Sequence, residues 1–372
     1  MTATATKRRP KAAGIEIPHA DLAEALKAVA PAVPGRASRP ILANVLIADG
    51  VVTATDLELR IDVAIDQVTP AVLLPHGRLT AILGTARGDA VEITPQGASC
   101  VVEIGSGRWT LPTEDAAEFP ADPGGDERLV LRLPAEQFCS AVKSVVFACA
   151  KDSYRYALGG VQIEVDREAG KAFFVATDGH VLPVVTIDYG DNQDPDTQSV
   201  LIPKTSINAM ATLAPGSADG VELLRRGNEV VFRFAKGSVT TRLVEGKFPR
   251  WRDAFPERTV KPSKVNAGAL LAATRSAAIV TTEQSKGVTY AFTAKGLHLT
   301  ARSSESGESS VTCDLVECGT TAVTQLDPAF VAEWLRTIDS EATVEVEVAD
   351  GTTACVLRHE EASCVIMPLA KD

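Results

Sequence analysis

The chain has 372 residues, 45% hydrophobic and 23% charged, with a formal net charge of −11. That length and apolar share suit two or three cored domains, and no apolar run approaches the roughly 18 residues that span a bilayer. The acidic total argues against a surface uniformly built for nucleic acid, yet it leaves room for one locally basic face.

In chain order, residues 1–14 carry Lys7, Arg8, Arg9 and Lys11 with no apolar core behind them. This reads as a disordered basic arm and not a secretory signal. A helix is expected over 21–29, with Leu22, Leu26 and Val29 on one face. A strand is expected over 41–47, and 57–65 alternates apolar with polar residues as a half-buried antiparallel strand does. A second helix over 77–86 would bury Leu79, Ile82 and Leu83. Strands over 91–93, 101–104 and 108–111 follow, and 120–126, rich in Pro and Gly, reads as a linker.

The middle of the chain repeats this order. A helix over 135–148 would bury Phe138, Val142, Val145 and Val146, and strands are expected over 161–165, 172–177 and 184–187. Pro203 opens a helix with Ile207 and Met210 on one face, and strands over 221–223, 230–234 and 238–243 lead to a linker near 255–258. The last part has a helix over 267–279 and strands over 288–292, 296–300 and 309–315. Asp327-Pro328 is a strong helix opener, a capping carboxylate followed by a proline suited to the first turn. Strands over 343–348, 354–357 and 362–367 close the chain. The seven cysteines are odd in number, scattered and without a C-x-x-C pair, so they read as buried thiols of a cytoplasmic protein, with no disulfide frame, metal site or cofactor.

Short stretches recur with the elements. Thr53-Ala54-Thr55-Asp56, Val175-Ala176-Thr177-Asp178 and Thr300-Ala301-Arg302-Ser303 align on the alanine at spacings of 122 and 125 residues. A second marker pairs Trp109-Thr110-Leu111 through Phe119-Pro120 with Thr241-Arg242-Leu243 through Phe248-Pro249, and a third copy would end in Val365-Ile366-Met367-Pro368. The expected fold is α+β: three similar domains, each with two helices packed on antiparallel sheets, over 15–125, 126–257 and 258–372. The central stretch, Val175 to Leu182, admits two readings. Asp178 and His180 could form an acid/base pair, or the stretch is a strand ending in a polar turn with Gly179 supplying the unusual backbone angle. A hydrolase using Asp178 and His180 is therefore an alternative, although no phosphate loop, H-E-x-x-H or G-x-S-x-G motif accompanies it.

Several motifs, in order, resemble the bacterial sliding clamps, the beta subunit family of DNA polymerase III. They are Arg39-Pro40-Ile41-Leu42-Ala43-Asn44-Val45-Leu46, Ala54-Thr55-Asp56-Leu57-Glu58, Arg155-Tyr156-Ala157-Leu158-Gly159-Gly160-Val161, Ala176-Thr177-Asp178-Gly179-His180, Glu245-Gly246-Lys247-Phe248-Pro249 and Val365-Ile366-Met367-Pro368. The resemblance covers essentially the whole chain after Gly14. It implies a non-catalytic, three-domain processivity factor whose homodimer closes head to tail around double-stranded DNA, read by charge and not by base.

By position, the resemblance implies DNA-facing cations at Arg36, Arg39, Arg78, Lys143, Lys151, Arg155, Lys204 and Arg275. It implies a pocket for short peptides of the polymerase III alpha subunit, the clamp loader and other partners, formed by Leu158, Thr177, Gly179, His180, Leu182, Pro249, Val365, Met367, Pro368 and Leu369. It also implies a dimer interface in which Ile82, Ala86 and Trp109 meet Ile279 and Val280, with Arg78 and Arg108 opposite Glu305 and Glu308. Val181, Asp253 and the ending Ala370-Lys371-Asp372 depart from the family pattern. They imply altered peptide preference, or a clamp paralogue with changed partners.

Overall fold

The alternating and amphipathic stretches fold in one order, repeated three times: strand, helix, a three-strand meander, strand, helix, three strands. A computed structural model describes residues 14–36, 38–67, 69–150, 156–166, 168–189, 199–257 and 259–369; residues 1–13 of the expected basic arm lie outside these. The helices are α1 (His19–Val29) and α2 (His76–Thr85), α3 (Ala135–Val145) and α4 (Lys204–Leu213), and α5 (Ala267–Ala277) and α6 (Pro328–Leu335). Each pair packs side by side. The apolar stripes read from the sequence face inward: Leu22, Leu26 and Val29 in α1, and Phe138, Val142 and Val145 in α3, are all buried. None of the helices among the described residues is long and apolar enough to cross a membrane.

Local chemistry explains the helix starts. Asp327 accepts from Ala329 N–H (2.9 Å) with Pro328 in the first turn, and Asn266 caps α5 through Ala269 N–H (2.8 Å). The expected strand over 41–47 is shorter than read. Pro40 holds Pro40–Ala43 in a 3₁₀ turn, closed by Leu42 N–H to Arg39 O, and the strand begins at Asn44. Two strands per repeat escaped the reading. Ile15–Pro18, Arg128–Leu133 and Ser263–Asn266 lead into the first helices, and Val72–Pro75, Ser199–Pro203 and Ala322–Leu326 lead into the second. Each is only four to six residues long, too short for alternation to stand out.

The chain gathers into two compact units, residues 1–127 with 226–242, and residues 128–225 with 243–372. In the first, Leu59–Ala64 pairs antiparallel with Gly237–Arg242, so a hairpin read as part of the second repeat belongs to this unit. In the second, Val181–Asp188 pairs antiparallel with Ala362–Ile366, within the sheet order 199–203, 160–166, 171–175, 181–188, 362–366, 355–359, 343–347, 263–266. The pairing also corrects the second sequence marker. The last hairpin turns pair Ile104 with Gly107, Phe234 with Gly237 and His359 with Ala362, so Leu111 corresponds to Thr241 and not to Leu243.

Candidate partner-docking site

The stretch after Val175 is a turn tied by its own side chains. Thr177 Oγ1 donates to Val181 O (2.7 Å) and accepts from Gly179 N–H (3.0 Å). Asp178 Oδ1 accepts from His180 N–H (2.8 Å) and Val181 N–H (3.1 Å), and Gly179 sits at φ +95°. Asp178 thus builds the turn, as short acidic side chains do. The first repeat builds the same turn. Thr55 Oγ1 donates to Leu59 O (3.0 Å) and accepts from Leu57 N–H (3.0 Å), and Asp56 Oδ1 accepts from Glu58 N–H (2.9 Å) and Leu59 N–H (2.7 Å). In the third repeat Ser303 stands at the Asp position, its Oγ accepting from Glu305 N–H (3.3 Å) and Ser306 N–H (3.4 Å). The alanine alignment of the three stretches therefore matches one recurring turn.

Beside the second turn lies an apolar cluster of Val175, Leu182, Val184, Leu201, Phe248, Trp251, Val356 and Val365, flanked by Ala157, Phe173, Val244 and Phe255. It forms because strand residues two apart face the same side: Leu182 and Val184 on one strand. Glu164 fixes its aromatic edge. Trp251 Nε1–H donates to Glu164 Oε2 (3.0 Å), and Arg252 pairs with Glu164 Oε1 (2.7 Å) while lying 4.1 Å from the Trp251 ring and 4.8 Å from the Phe173 ring. Asp253 is exposed and paired with Arg250 (3.0 Å).

The expected pocket residues divide into floor and rim. Leu182 and Val365 belong to the cluster, and Thr177 is buried in the turn. Leu158, Pro368 and Leu369 are half-buried, and Gly179, His180, Pro249 and Met367 are exposed. Met367, at 45% exposure, is not core filling. Its N–H donates to His180 O (2.9 Å), and Leu369 N–H donates to Gln325 O (2.8 Å), so the chain from Met367 to Leu369 runs past the turn. Val181, expected to depart from the family pattern, is 1% exposed and faces inward. Ala370, Lys371 and Asp372 lie outside the described residues. The sequence reading missed Val175, Val184, Leu201, Phe248, Val356, Glu164 and Arg252. Strand alternation at 182 and 184, read together with the recurring turn, would have found the first two.

The three repeats carry different chemistry at equivalent positions, counted from the shared turn and strand register. Where the second repeat has Val175, Leu182 and Val184, the first has Thr53, Arg60 and Asp62 and the third has Thr300, Glu308 and Ser310. Thr53 Oγ1 donates to Asp62 Oδ1 (2.7 Å), Arg60 Nε donates to Asp62 Oδ2 (2.9 Å), and Arg60 Nη1 donates to Pro120 O (2.9 Å). Thr300, Glu308 and Ser310 instead line an open cleft of about 950 Å³, together with Glu283, Lys286 and Arg302.

The remaining expected residues separate by exposure. Arg36, Arg39, Arg78, Lys143 and Arg275 are exposed, and Lys204 is half-buried at the start of α4; Lys151 and Arg155 lie outside the described residues. Ile82 is 8% exposed, packed within its own unit, while Ile279 is 80% exposed. Ala86, Trp109 and Val280 are half-buried, and Glu305 and Glu308 are exposed. In the single chain Arg108 pairs with Glu103 (2.7 Å), and Glu308 pairs with Arg302 (2.8 Å).

Comparison with known proteins covers the chain end to end. Residues 14–123, 132–250 and 252–370 match the family models for the N-terminal, central and C-terminal domains of the DNA polymerase III beta subunit. The beta sliding clamp of Escherichia coli (strain K12) is 26% identical over 360 residues, spanning 94% of this chain and 97% of that protein. That of Synechococcus elongatus is 24% identical over 353 residues, 91% and 93%. Among solved structures, the Pseudomonas aeruginosa clamp bound to griselimycin superposes with a TM-score of 0.89 at 24% identity, covering 96% of this chain and 99% of that one. The Bacillus subtilis clamp also gives 0.89, at 20% identity and the same coverage. The three-domain clamp fold is thus shared, and the chain belongs to the DNA polymerase III beta-subunit family, the beta sliding clamps.

Proposed function

We propose that this chain is a processivity factor with no chemistry of its own. Two copies close head to tail around duplex DNA and tether the replicative polymerase to it. The match to all three clamp domains along the chain carries this reading. The domains run over 15–125, 126–257 and 258–372, and the protein works in the cytoplasm. DNA contact is independent of sequence, through Arg36, Arg39, Arg78, Lys143, Lys151, Arg155, Lys204 and Arg275, whose charge holds phosphates loosely enough to slide. The polymerase III alpha subunit, the clamp loader and other partners dock short apolar peptides on the groove of the second repeat. Leu182 and Val365 form its floor, and Leu158, Thr177, Gly179, His180, Pro249, Met367, Pro368 and Leu369 surround it.

The ring-closing contact follows from sheet edges. In two repeats the third meander strand is paired by a final strand: Leu59–Ala64 by Gly237–Arg242, and Val181–Asp188 by Ala362–Ile366. Among the described residues, the corresponding Gly307–Cys313 and Gly107–Pro112 are both outer strands of four-stranded sheets. Such edges are ready templates for another chain. Carrying over the register sets Gly107 opposite the partner's Val311 and Trp109 opposite the partner's Ser309. Ile279 and Val280 then meet Ile82, Ala86 and Trp109, and Arg78 and Arg108 face Glu305 and Glu308.

Retention on DNA tests the function. Protein loaded on nicked circular DNA should stay bound through gel filtration and fall off when the circle is cut; equal loss from circular and linear DNA would refute encirclement.

A further inference from the structure

Docking peptides on the second repeat alone needs a reason, because the same turn and the same strand pairing exist in the first. The difference centres on three side chains of one sheet face, beside Thr240 where the register sets Val365 in the second repeat and Asp122 where Trp251 follows the Phe-Pro marker. In the first repeat Thr53, Arg60 and Asp62 are bonded to one another, and Arg60 also holds Pro120 O at 2.9 Å. Pro120 closes the Phe-Pro marker that recurs as Phe248-Pro249 beside the docking groove. Leu73 and Phe119 are buried in this unit, as Leu201 and Phe248 are in the other. The first groove therefore keeps part of the apolar back wall, in Leu73 and Phe119, but the strand facing it is a hydrogen-bonded polar network. Thr53 is 4% exposed, and the Arg60 and Asp62 side chains are 19% exposed each.

An apolar side chain entering there would have to displace the guanidinium from a carbonyl and a carboxylate, leaving buried polar groups unpaired. A groove of this kind rejects by chemistry what its shape would accept. We infer that the three positions are the specificity determinant among the repeats. Val175, Leu182 and Val184 admit an apolar partner peptide, and Thr53, Arg60 and Asp62 close the equivalent groove on the chain's own Pro120. This rests on the docking reading above and adds to it the residues that confine docking to one groove per chain.

Two grafts test it, with a fluorescent consensus clamp-binding peptide as the probe and calorimetry for stoichiometry. The variant Thr53→Val/Arg60→Leu/Asp62→Val should take up two peptides per chain where the unaltered protein takes up one. The reverse graft, Val175→Thr/Leu182→Arg/Val184→Asp, should weaken binding at least 100-fold with an unchanged far-ultraviolet spectrum and dimer mass. A first graft that folds and still binds one peptide overturns the inference while leaving docking intact. So does a reverse graft that binds within threefold of the unaltered protein, which decides the matter if the first graft does not fold. No binding by the unaltered protein at roughly 100 μM peptide, a scale on which tenfold is about 1.4 kcal/mol, overturns the docking reading itself.

Discussion

The turn at Thr55–Asp56 and the turn at Thr177–Asp178 use the same four hydrogen bonds, yet one borders a salt-bridged network and the other an apolar cluster. Repetition of the backbone has preserved the frame and left the chemistry free to differ. A third version, with Thr300, Glu308 and Ser310, leaves an open polar cleft. The lesson is that a site on a repeated fold is defined by the few side chains on one strand face, while the turn beside it is common property.

Substitutions in either region sharpen that contrast, and the largest effect is expected at Trp251. It is 7% exposed and its indole N–H holds Glu164. Trp251→Ala should cost about 3 kcal/mol in chemical denaturation by leaving a cavity, and should also weaken peptide docking. In the first repeat, Arg60→Ala removes the donor to Pro120 O and strips Asp62 of its cation. It should cost about 2 kcal/mol with no effect on peptide affinity. A loss of peptide binding in Arg60→Ala would blur the distinction between the two grooves.

The turns themselves should respond with opposite signs. Gly179 has φ +95°, so Gly179→Ala should destabilise by about 1 kcal/mol, whereas Leu57 has φ +81° with a 43% exposed side chain. Leu57→Gly should stabilise by roughly 0.5 kcal/mol as strain is relieved. Paired thermal melts check this, and a destabilised Leu57→Gly would mean that its side chain contributes more than its backbone costs.

An effect of similar size, and one that depends on pH, concerns the stretch after Pro120. Arg226, 7% exposed, pairs with Asp122 (2.8 Å) and Glu229 (3.0 Å). Burial would raise the Asp122 carboxyl, but hydrogen bonds from Arg226 and Gly124 N–H and the Arg226 charge outweigh it and hold it below its ordinary 3.8. A lowered carboxylate contributes stability that is complete above its unfolded value and is lost as pH falls through the folded one. Asp122→Asn should therefore cost about 1 kcal/mol at neutral pH, with the difference from the unaltered protein shrinking below about pH 4 in denaturant titrations. A difference constant with pH would remove the ion pair from the account.

Much of this was legible in the sequence, for identifiable reasons. The helices announced themselves through 3.6-residue stripes, and Asp327-Pro328 through capping chemistry. The turns were visible as Thr-Asp pairs because their hydrogen bonds are local. Leu182 and Val365 of the groove floor were legible through the resemblance, but Phe248 and Val356 were not, because they meet Leu182 only through strand pairing between distant segments. The strand expected over 41–47 failed at Pro40, whose fixed angle favours a turn. The short strands before each helix carry too few residues for a period to register. Asp178 and His180 looked like an acid/base pair by adjacency, while the backbone amides of His180 and Val181 claim the carboxylate.

The edge strand Gly307–Cys313 gives the central claim its sharpest test, the solution mass. Ala64 N–H donates to Lys236 O (2.7 Å) and Thr186 N–H to Glu361 O (3.0 Å) across the two joined edges; Thr312 is their counterpart on Gly307–Cys313, so its N–H is due to meet the partner's Ser106 carbonyl. Sedimentation equilibrium at micromolar concentration should return twice the 39.2 kDa chain mass for the unaltered protein and a monomer for Thr312→Pro. A monomeric unaltered protein, or a Thr312→Pro variant that remains dimeric, would contradict closure through these edges.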